Sequence, residues 1–340
     1  MSDGPIEANE LVSLRDVRAA AARLRGVAIR TPLVPFAPGP PSVLLKAESL
    51  QAIGAFKIRG AYNAIAQLTE AERRRGVVTH SSGNHGQGVA RAARLLGVRA
   101  TVVMPHDAPA IKRERVAADG AEIVEVEVDS RAREEMADRF VAERGLILVP
   151  PYDDDRIIAG QGTVGLEIAE DVADLALVLV PIGGGGLASG VAVAVKALRP
   201  GARVVGVEPE LAADAAESLR AGRRIAWDGA LTARTIADGT RTRQVGRRNF
   251  AHLARLLDGI VTVSEAEIAA GVRLAAERSR LVAEPSGALS IAAATWHAAE
   301  LGLGGGEAGS GTIVAVVSGG NVDPGRYREL LASPLPALPG

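Results

Sequence analysis

Residues 175–198 read LALVLVPIGGGGLASGVAVAVKAL. An apolar run rich in leucine and valine enters four glycines, Gly183 to Gly186, and a helical segment of small residues follows. The pattern is strand, glycine turn, helix. Glycines let successive backbone N–H groups face one point, and a helix start adds partial positive charge there, so the turn suits a phosphate. A tight turn that merely uses glycine's freedom in φ is the plainer reading. Four glycines in a row between strand and helix favour the anion. A dinucleotide is one candidate: Gly183, Gly185 and Ala188 loosely fit G-x-G-x-x-A, and Glu208 lies about 20 residues on, where a ribose-binding acid belongs. The P-loop pattern fails, because no Gly-Lys-Ser/Thr follows the glycines.

Outward from this unit the same alternation continues. Strands are expected at Val43–Ala47, Val77–Thr79, Ala100–Met104, Glu122–Val126, Leu146–Val149, Leu177–Val180, Val204–Val207, Ile260–Val263 and Ile313–Val317. Helical periodicity fills several intervals, as at Gly88–Leu96 and Ala266–Arg278. Such alternation predicts an α/β protein with largely parallel sheets. The strands fall into two clusters, which predicts two lobes: residues 76–150 as a small lobe, 1–75 with 151–340 as a large one. Residues 302–311 form a Gly-rich loop, and the Pro-rich tail from Ser333 is expected to fray.

Composition narrows the function. The 340 residues carry a formal net charge of -1, which gives no support to nucleic-acid binding or polybasic membrane attachment. Apolar residues make up 47%, enough for a packed core, and aromatics only 3%, so Ala, Val, Leu and Ile must fill it. The absence of cysteine removes disulfides, thiolate catalysis and zinc–thiolate sites, and it fits a cytoplasmic protein. The opening MSDGPIEANELVSLRDV has no basic region followed by an apolar run, so no signal peptide is expected. The run Leu175 to Ile182 is too short to span a bilayer.

Two further loops decide between phosphate ligands. After Val77–Thr79 comes SSGNHGQ, in which Ser81, Ser82, Gly83, Asn84, His85 and Gly86 offer hydroxyls, an amide and backbone donors at a helix entry. That suits a carboxylate or a polar ring substituent; a simple Ser or Asn cap is the plain alternative. His85 alone reads more readily as a hydrogen-bonding scaffold residue than as a base. The strand Ile313–Val317 ends in SGGNVD. In α/β sheets ligands gather beyond the carboxyl ends of strands, so these loops and Lys57 of GAFKIRGA can converge there. A lysine amine for a Schiff base, a phosphate cup and a carboxylate cup are the parts that pyridoxal phosphate chemistry needs. Hydride transfer to a nicotinamide needs no such lysine.

The sequence resembles the fold-type-II pyridoxal-phosphate enzymes, specifically the threonine/serine dehydratase and serine racemase family. AFKIRGA, SSGNHGQ, AGQGT at Ala159–Thr163, GGGG, GVEP at Gly206–Pro209, TIADG at Thr235–Gly239, EPSGA at Glu284–Ala288 and SGGN occur in family order across about residues 15 to 325. The resemblance implies a two-lobed, tryptophan synthase β-like fold and a homodimer. It implies that Lys57 carries the cofactor and acts as base at the substrate Cα. Phe56 flanks the ring, Asn84 bonds its 3′ oxygen, Gly183, Gly184, Gly185, Gly186 and Leu187 bind phosphate, and Ser318 meets the pyridine nitrogen. Ser81, Ser82, Gly83, Asn84 and His85 form the substrate-carboxylate loop, and Ser82 corresponds to the opposite-face acid/base of serine racemase.

Further expectations follow from that resemblance. A hydroxyl at the ring nitrogen makes a weaker electron sink than a carboxylate would sustain, which favours prompt loss of a β-substituent. The expected reaction is dehydration of L-threonine or L-serine to a 2-keto acid and ammonia, with serine racemase and 3-hydroxyaspartate dehydratase as alternatives. In the racemase-like branch Glu208, the Ala212 carbonyl and Asp214 bind a divalent cation, Mg²⁺, Ca²⁺ or Mn²⁺. That role competes with the ribose-binding reading of Glu208. Arg131 matches an arginine near the racemase substrate pocket and is equally readable as a solvated helix residue. Ala55 and Pro150 depart from the common Ser and His of the family, and Tyr152–Asp155 resembles the dehydratase loop. The chain ends after the catalytic core, so no regulatory domain and no isoleucine feedback are expected.

Overall fold

In the computed structural model, residues 11–37, 42–81, 83–106, 108, 110–127, 130–302 and 311–338 are described. Ten strands appear among them: β1 (Leu33–Ala37), β2 (Val43–Ala47), β3 (Val77–His80), β4 (Ala100–Pro105), β5 (Glu122–Val126), β6 (Ile147–Leu148), β7 (Leu175–Pro181), β8 (Arg203–Pro209), β9 (Gly259–Val263) and β10 (Thr312–Val317). The helices are α1 (Leu14–Arg23), α2 (Lys57–Ala66), α3 (Glu70–Arg75), α4 (Asn84–Leu96), α5 (Ala110–Ala118), α6 (Ser130–Arg144), α7 (Asp155–Asp171), α8 (Gly186–Leu198), α9 (Asp214–Ala221), α10 (Gly229–Thr232), α11 (Arg247–Leu256), α12 (Glu265–Ser279), α13 (Pro285–Trp296) and α14 (Pro324–Leu331). The nine expected strands are present. β1 is the addition: LVPFA carries a proline and pairs antiparallel with β2 at the sheet edge, where proline is tolerated.

The strands form a six-stranded sheet, β1-β2-β10-β7-β8-β9, and a four-stranded sheet, β5-β4-β3-β6. Apart from β1–β2, every pairing is parallel. Side chains alternate between faces along a strand, and both faces of the larger sheet are buried. Leu177 and Leu179 of β7, with Ile313, Ala315 and Val317 of β10, meet the apolar sides of α12 and α13. Val178, Val180, Val314 and Val316 enter the opposite core with Val164 and Ile168 of α7 and Val191 and Val195 of α8. Double-sided burial is why these strands read as unbroken apolar runs.

The smaller sheet is sandwiched similarly. Val102 and Met104 pack with Ala90 of α4 and Val116 of α5, and Val78 and Val103 with Ala137 and Phe140 of α6. Its four strands lie within residues 77–148. Helix α2 shares this lobe's core, since Ile58, Ala61 and Ile65 cluster with Val77, Val89 and Ala92. It also docks on α7 at backbone distance: a Cβ on Gly160 would lie 2.6 Å from the Gly60 Cα. The tail beyond Ser333 is held in part, with Trp296 Nε1 donating to the Pro336 carbonyl and Arg273 to that of Ser333. The loop expected at 302–311 lies mostly outside the described residues.

Strand order explains where a site can form. β10 lies between β2 and β7, all three parallel. Their carboxyl ends lead to the Lys57 segment, to Ser318 and to the glycine turn. β3 of the other sheet delivers Ser81, Gly83, Asn84 and His85 opposite them.

Candidate active site

A cavity of about 590 Å³ opens between the two sheets. Phe56, Lys57, Ser81, Gly83, Asn84, His85, Gly183, Gly184, Gly185, Gly186, Leu187 and Ser318 all line it. Ser82 lies outside the described residues.

Lys57 is the first residue of α2. Its Nζ donates to the Pro151 carbonyl at 2.7 Å and sits 5.2 Å from the Phe56 ring centroid. Burial lowers its pKa from 10.5 to about 8, because a low-dielectric pocket disfavours the ammonium. A neutral amine is the form that attacks an aldehyde. The turn before it is pinned to the segment after β10: Phe56 N–H donates to Ser318 O, Gly320 N–H to Gly54 O, and Ala55 forms an isolated bridge with Gly319.

The glycine turn is shaped as a cup. Gly185 has φ +95° and serves as N-cap of α8, a conformation that side chains rarely adopt. A Cβ on Gly184 would fall on the Tyr152 ring, and one on Gly183 would meet Thr240 Cα at 3.1 Å. The cup is therefore closed to side chains, leaving the backbone N–H groups of the α8 start for an anion.

His85 proves a scaffold residue. Its Nε2 lies 3.0 Å from the Val149 carbonyl, and a carbonyl only accepts, so Nε2 carries the proton. Burial, reinforced by the charge of Lys57, holds its pKa well below 6.5. Nδ1 has no partner. At the neighbouring position Asn84 Nδ2 donates to Glu284 Oε1 at 2.5 Å. Ser318 is buried and donates to the Ser286 carbonyl at 3.4 Å.

Arg131 is exposed and ion-paired with Glu135, and it does not line the cavity; Arg133 and Glu134, two and three residues on, do. A helix explains the difference, since residues two apart point to different sides. Glu208 is fully buried at the end of β8, accepting the N–H groups of Ala215 and Ala216 at 3.1 and 2.7 Å. One N–H of the α9 start meets each oxygen, and Glu208 is not among the residues lining the cavity beside the glycine turn. Burial, then the nearby Asp214 charge, pushes Glu208 well above the carboxylate range; burial raises Asp214 to about 7. Asp214 accepts from Val245 N at 2.6 Å, and Ala212 closes the single turn before it. No group of three His, Asp or Glu side chains suited to a metal occurs among the described residues, so a cation here would need backbone oxygens.

Sequence reasoning passed over several cavity residues. Lys112 donates to Asp238 at 2.5 Å across the two lobes, and Glu284 lies beside them. Burial, then the Asp238 charge, raises Glu284 to about 8. In the sequence EPSGA stands out only as a motif; its glutamate precedes a proline-started helix and reads as an ordinary cap.

Comparison with known proteins agrees with this geometry. The family described as pyridoxal-phosphate dependent enzyme matches residues 24–319. L-threo-3-hydroxyaspartate ammonia-lyase of Saccharomyces cerevisiae is 42% identical over 85% of this chain and 86% of its own. Serine racemase of Schizosaccharomyces pombe is 39% identical over 93% of this chain and 96% of its own. The crystal structure of serine racemase from Dictyostelium discoideum superposes with a TM-score of 0.83 at 35% identity, covering 92% of this chain and 99% of that one. The buried lysine, the closed glycine cup and the hydroxyl at the end of β10 fit the group these relatives share. This chain belongs to the pyridoxal-phosphate-dependent enzyme family, in its fold-type-II architecture.

Proposed function

We propose that the protein is a pyridoxal-phosphate-dependent ammonia-lyase that converts L-threonine or L-serine to a 2-keto acid and ammonia. The observation that carries this is the convergence of the Lys57 amine, the Gly183–Gly186 cup, the Ser318 hydroxyl and the Ser81–His85 loop on one cavity. Bound there, pyridoxal phosphate would supply an electron sink for charge developing at the substrate Cα. Lys57 would hold the cofactor covalently and, as a free amine, would take the substrate Cα proton. Gly183 to Leu187 present N–H groups to the phosphate, and Asn84 an amide to the ring oxygen. The hydroxyls of Ser81 and Ser82 and the backbone N–H groups of Gly83, Asn84 and His85 would hold the substrate carboxylate. Ser318 would offer the ring nitrogen a neutral hydroxyl. The β-hydroxyl leaves as water, and hydrolysis returns one water and releases ammonia, so atoms balance.

One observation favours a second substrate. Arg133 and Arg241 line the cavity, and an arginine there pairs with a second carboxylate, as in L-threo-3-hydroxyaspartate. We place residues 76–150 in a small lobe and 1–75 with 151–340 in a large one. We also infer a cytoplasmic homodimer with a divalent cation at Glu208, Ala212 and Asp214; no helix among the described residues is long and apolar enough to cross a membrane.

The test is a panel of L- and D-serine, L-threonine and L-threo-3-hydroxyaspartate, with keto acid and inverted amino acid measured together. Keto acid from L-threonine or L-serine is expected to dominate, and Lys57→Ala to abolish both turnover and the borohydride-trapped cofactor adduct. D-serine made faster than pyruvate would identify a racemase. Activity confined to hydroxyaspartate would move the substrate to the second reading.

A further inference from the structure

Asn321, last residue of the SGGN motif, reaches the SSGNHGQ motif, the residue Ile53 just before GAFKIRGA, and Arg115 of α5. Its Nδ2 donates to the Ile53 carbonyl at 2.8 Å, to Asn84 Oδ1 at 2.8 Å and, more weakly, to Gln87 Oε1 at 3.4 Å. Its Oδ1 accepts from Arg115 Nη1. These partners leave no freedom in the amide. A backbone carbonyl only accepts and a guanidinium only donates, so nitrogen must face Ile53 and oxygen must face Arg115. Asn84 must then present its oxygen to Asn321 and its nitrogen to the other side. There Glu284 Oε1 takes one of the two N–H groups. The close approach requires glycine at 319, where a Cβ would lie 3.2 Å from Asn84 Nδ2 and would collide with the Glu284 carboxyl.

We infer that Asn321 and Glu284 are positioning residues that lock the Asn84 amide with its remaining N–H toward the cavity, where the cofactor ring oxygen is to be held. This rests on the cofactor reading above. A freely rotating asparagine would present oxygen to that ring oxygen half the time, and two acceptors repel. The lock also joins the lobes: Asn84, Gln87 and Arg115 come from around the four-stranded sheet, and Asn321 and Glu284 from the six-stranded one.

The experiment compares Asn321→Asp in the native and Asn84→Ala backgrounds, reading the pyridoxal phosphate dissociation constant and the visible absorption band of the loaded protein. Asn321→Asp keeps an oxygen for Arg115 and loses the donor to Asn84. Alone it is expected to weaken cofactor binding about tenfold, the loss of one well-made hydrogen bond, and to shift the band. In the Asn84→Ala background the same change is expected to cost less than about twofold, because the residue it acts through is gone. Equal losses in both backgrounds, or an unaltered constant and band, would overturn the inference. Should Asn321→Asp fail to fold by circular dichroism, Glu284→Gln and Glu284→Met serve instead: glutamine retains an acceptor and must lose less affinity than methionine, and equal losses reject the lock. Wild-type protein that takes up no cofactor at all would instead sink the functional reading.

Discussion

At the residue scale, the decisive property of Lys57 is where its amine titrates. A solvated lysine is almost wholly charged at neutral pH, and charge prevents attack on a carbonyl. Burial in the cavity lowers this amine to about 8. The rate at which cofactor-stripped protein takes up pyridoxal phosphate, followed by absorbance, should therefore rise with pH through about 8. A midpoint near 10.5, the ordinary lysine value, would show that the pocket does not desolvate the amine. Phe56 acts at the same scale, its ring 5.2 Å from Nζ.

At the element scale, α2 must hold Lys57 still while the cavity is open to solvent. Two residues on, Arg59 is fully buried and forks onto two carboxylates: Nε and Nη2 to Glu48 at 2.8 Å, Nη1 and Nη2 to Glu167 at 2.6 and 2.9 Å. Lys46 adds a bond to Glu167 at 2.6 Å. Two positive and two negative groups thus tie β2, α2 and α7 together away from water. Replacing one member strands its opposite charges in the interior. Arg59→Met is expected to destabilise the fold by about 3–5 kcal/mol, measurable by urea unfolding. A loss below about 1 kcal/mol, the value of an exposed pair, would mean that water reaches the cluster.

At the scale of the whole molecule, the cavity exists because two parallel sheets face each other across it. The far end of β8 carries a second buried acidic pair that the cavity does not use. Glu208 and Asp214 repel each other, which disfavours the charged forms. If a divalent cation joins them, millimolar Mg²⁺ should raise the melting temperature of the native protein and leave Glu208→Gln unmoved, since a ligand bound only to the folded state stabilises it by mass action. Equal melting curves with Mg²⁺ and with chelator would remove the metal. The pair would then be a buried carboxyl pair fixed by the amides of Ala215, Ala216 and Val245.

Much of this protein is legible in its sequence. Strands buried on both faces must be apolar throughout, so β7 and β10 could be read directly, and four glycines after a strand have few structural uses. β1 was illegible because Pro35 interrupts the short run LVPFA, and only its place at the sheet edge lets a strand keep that proline. Arg131 and Arg133 could not be told apart by spacing alone, because only the rotation of α6 decides which side chain faces the cavity. The roles of Glu284 and Asn321 were hidden for a different reason: each acts by a hydrogen bond to Asn84, 200 and 237 residues away in the chain. Local chemistry, the lysine, the glycines and the hydroxyls, is written in the order of residues. The orientation of those groups is set by long-range contacts, which arise only when β2, β10 and β7 lie side by side and β3 faces them.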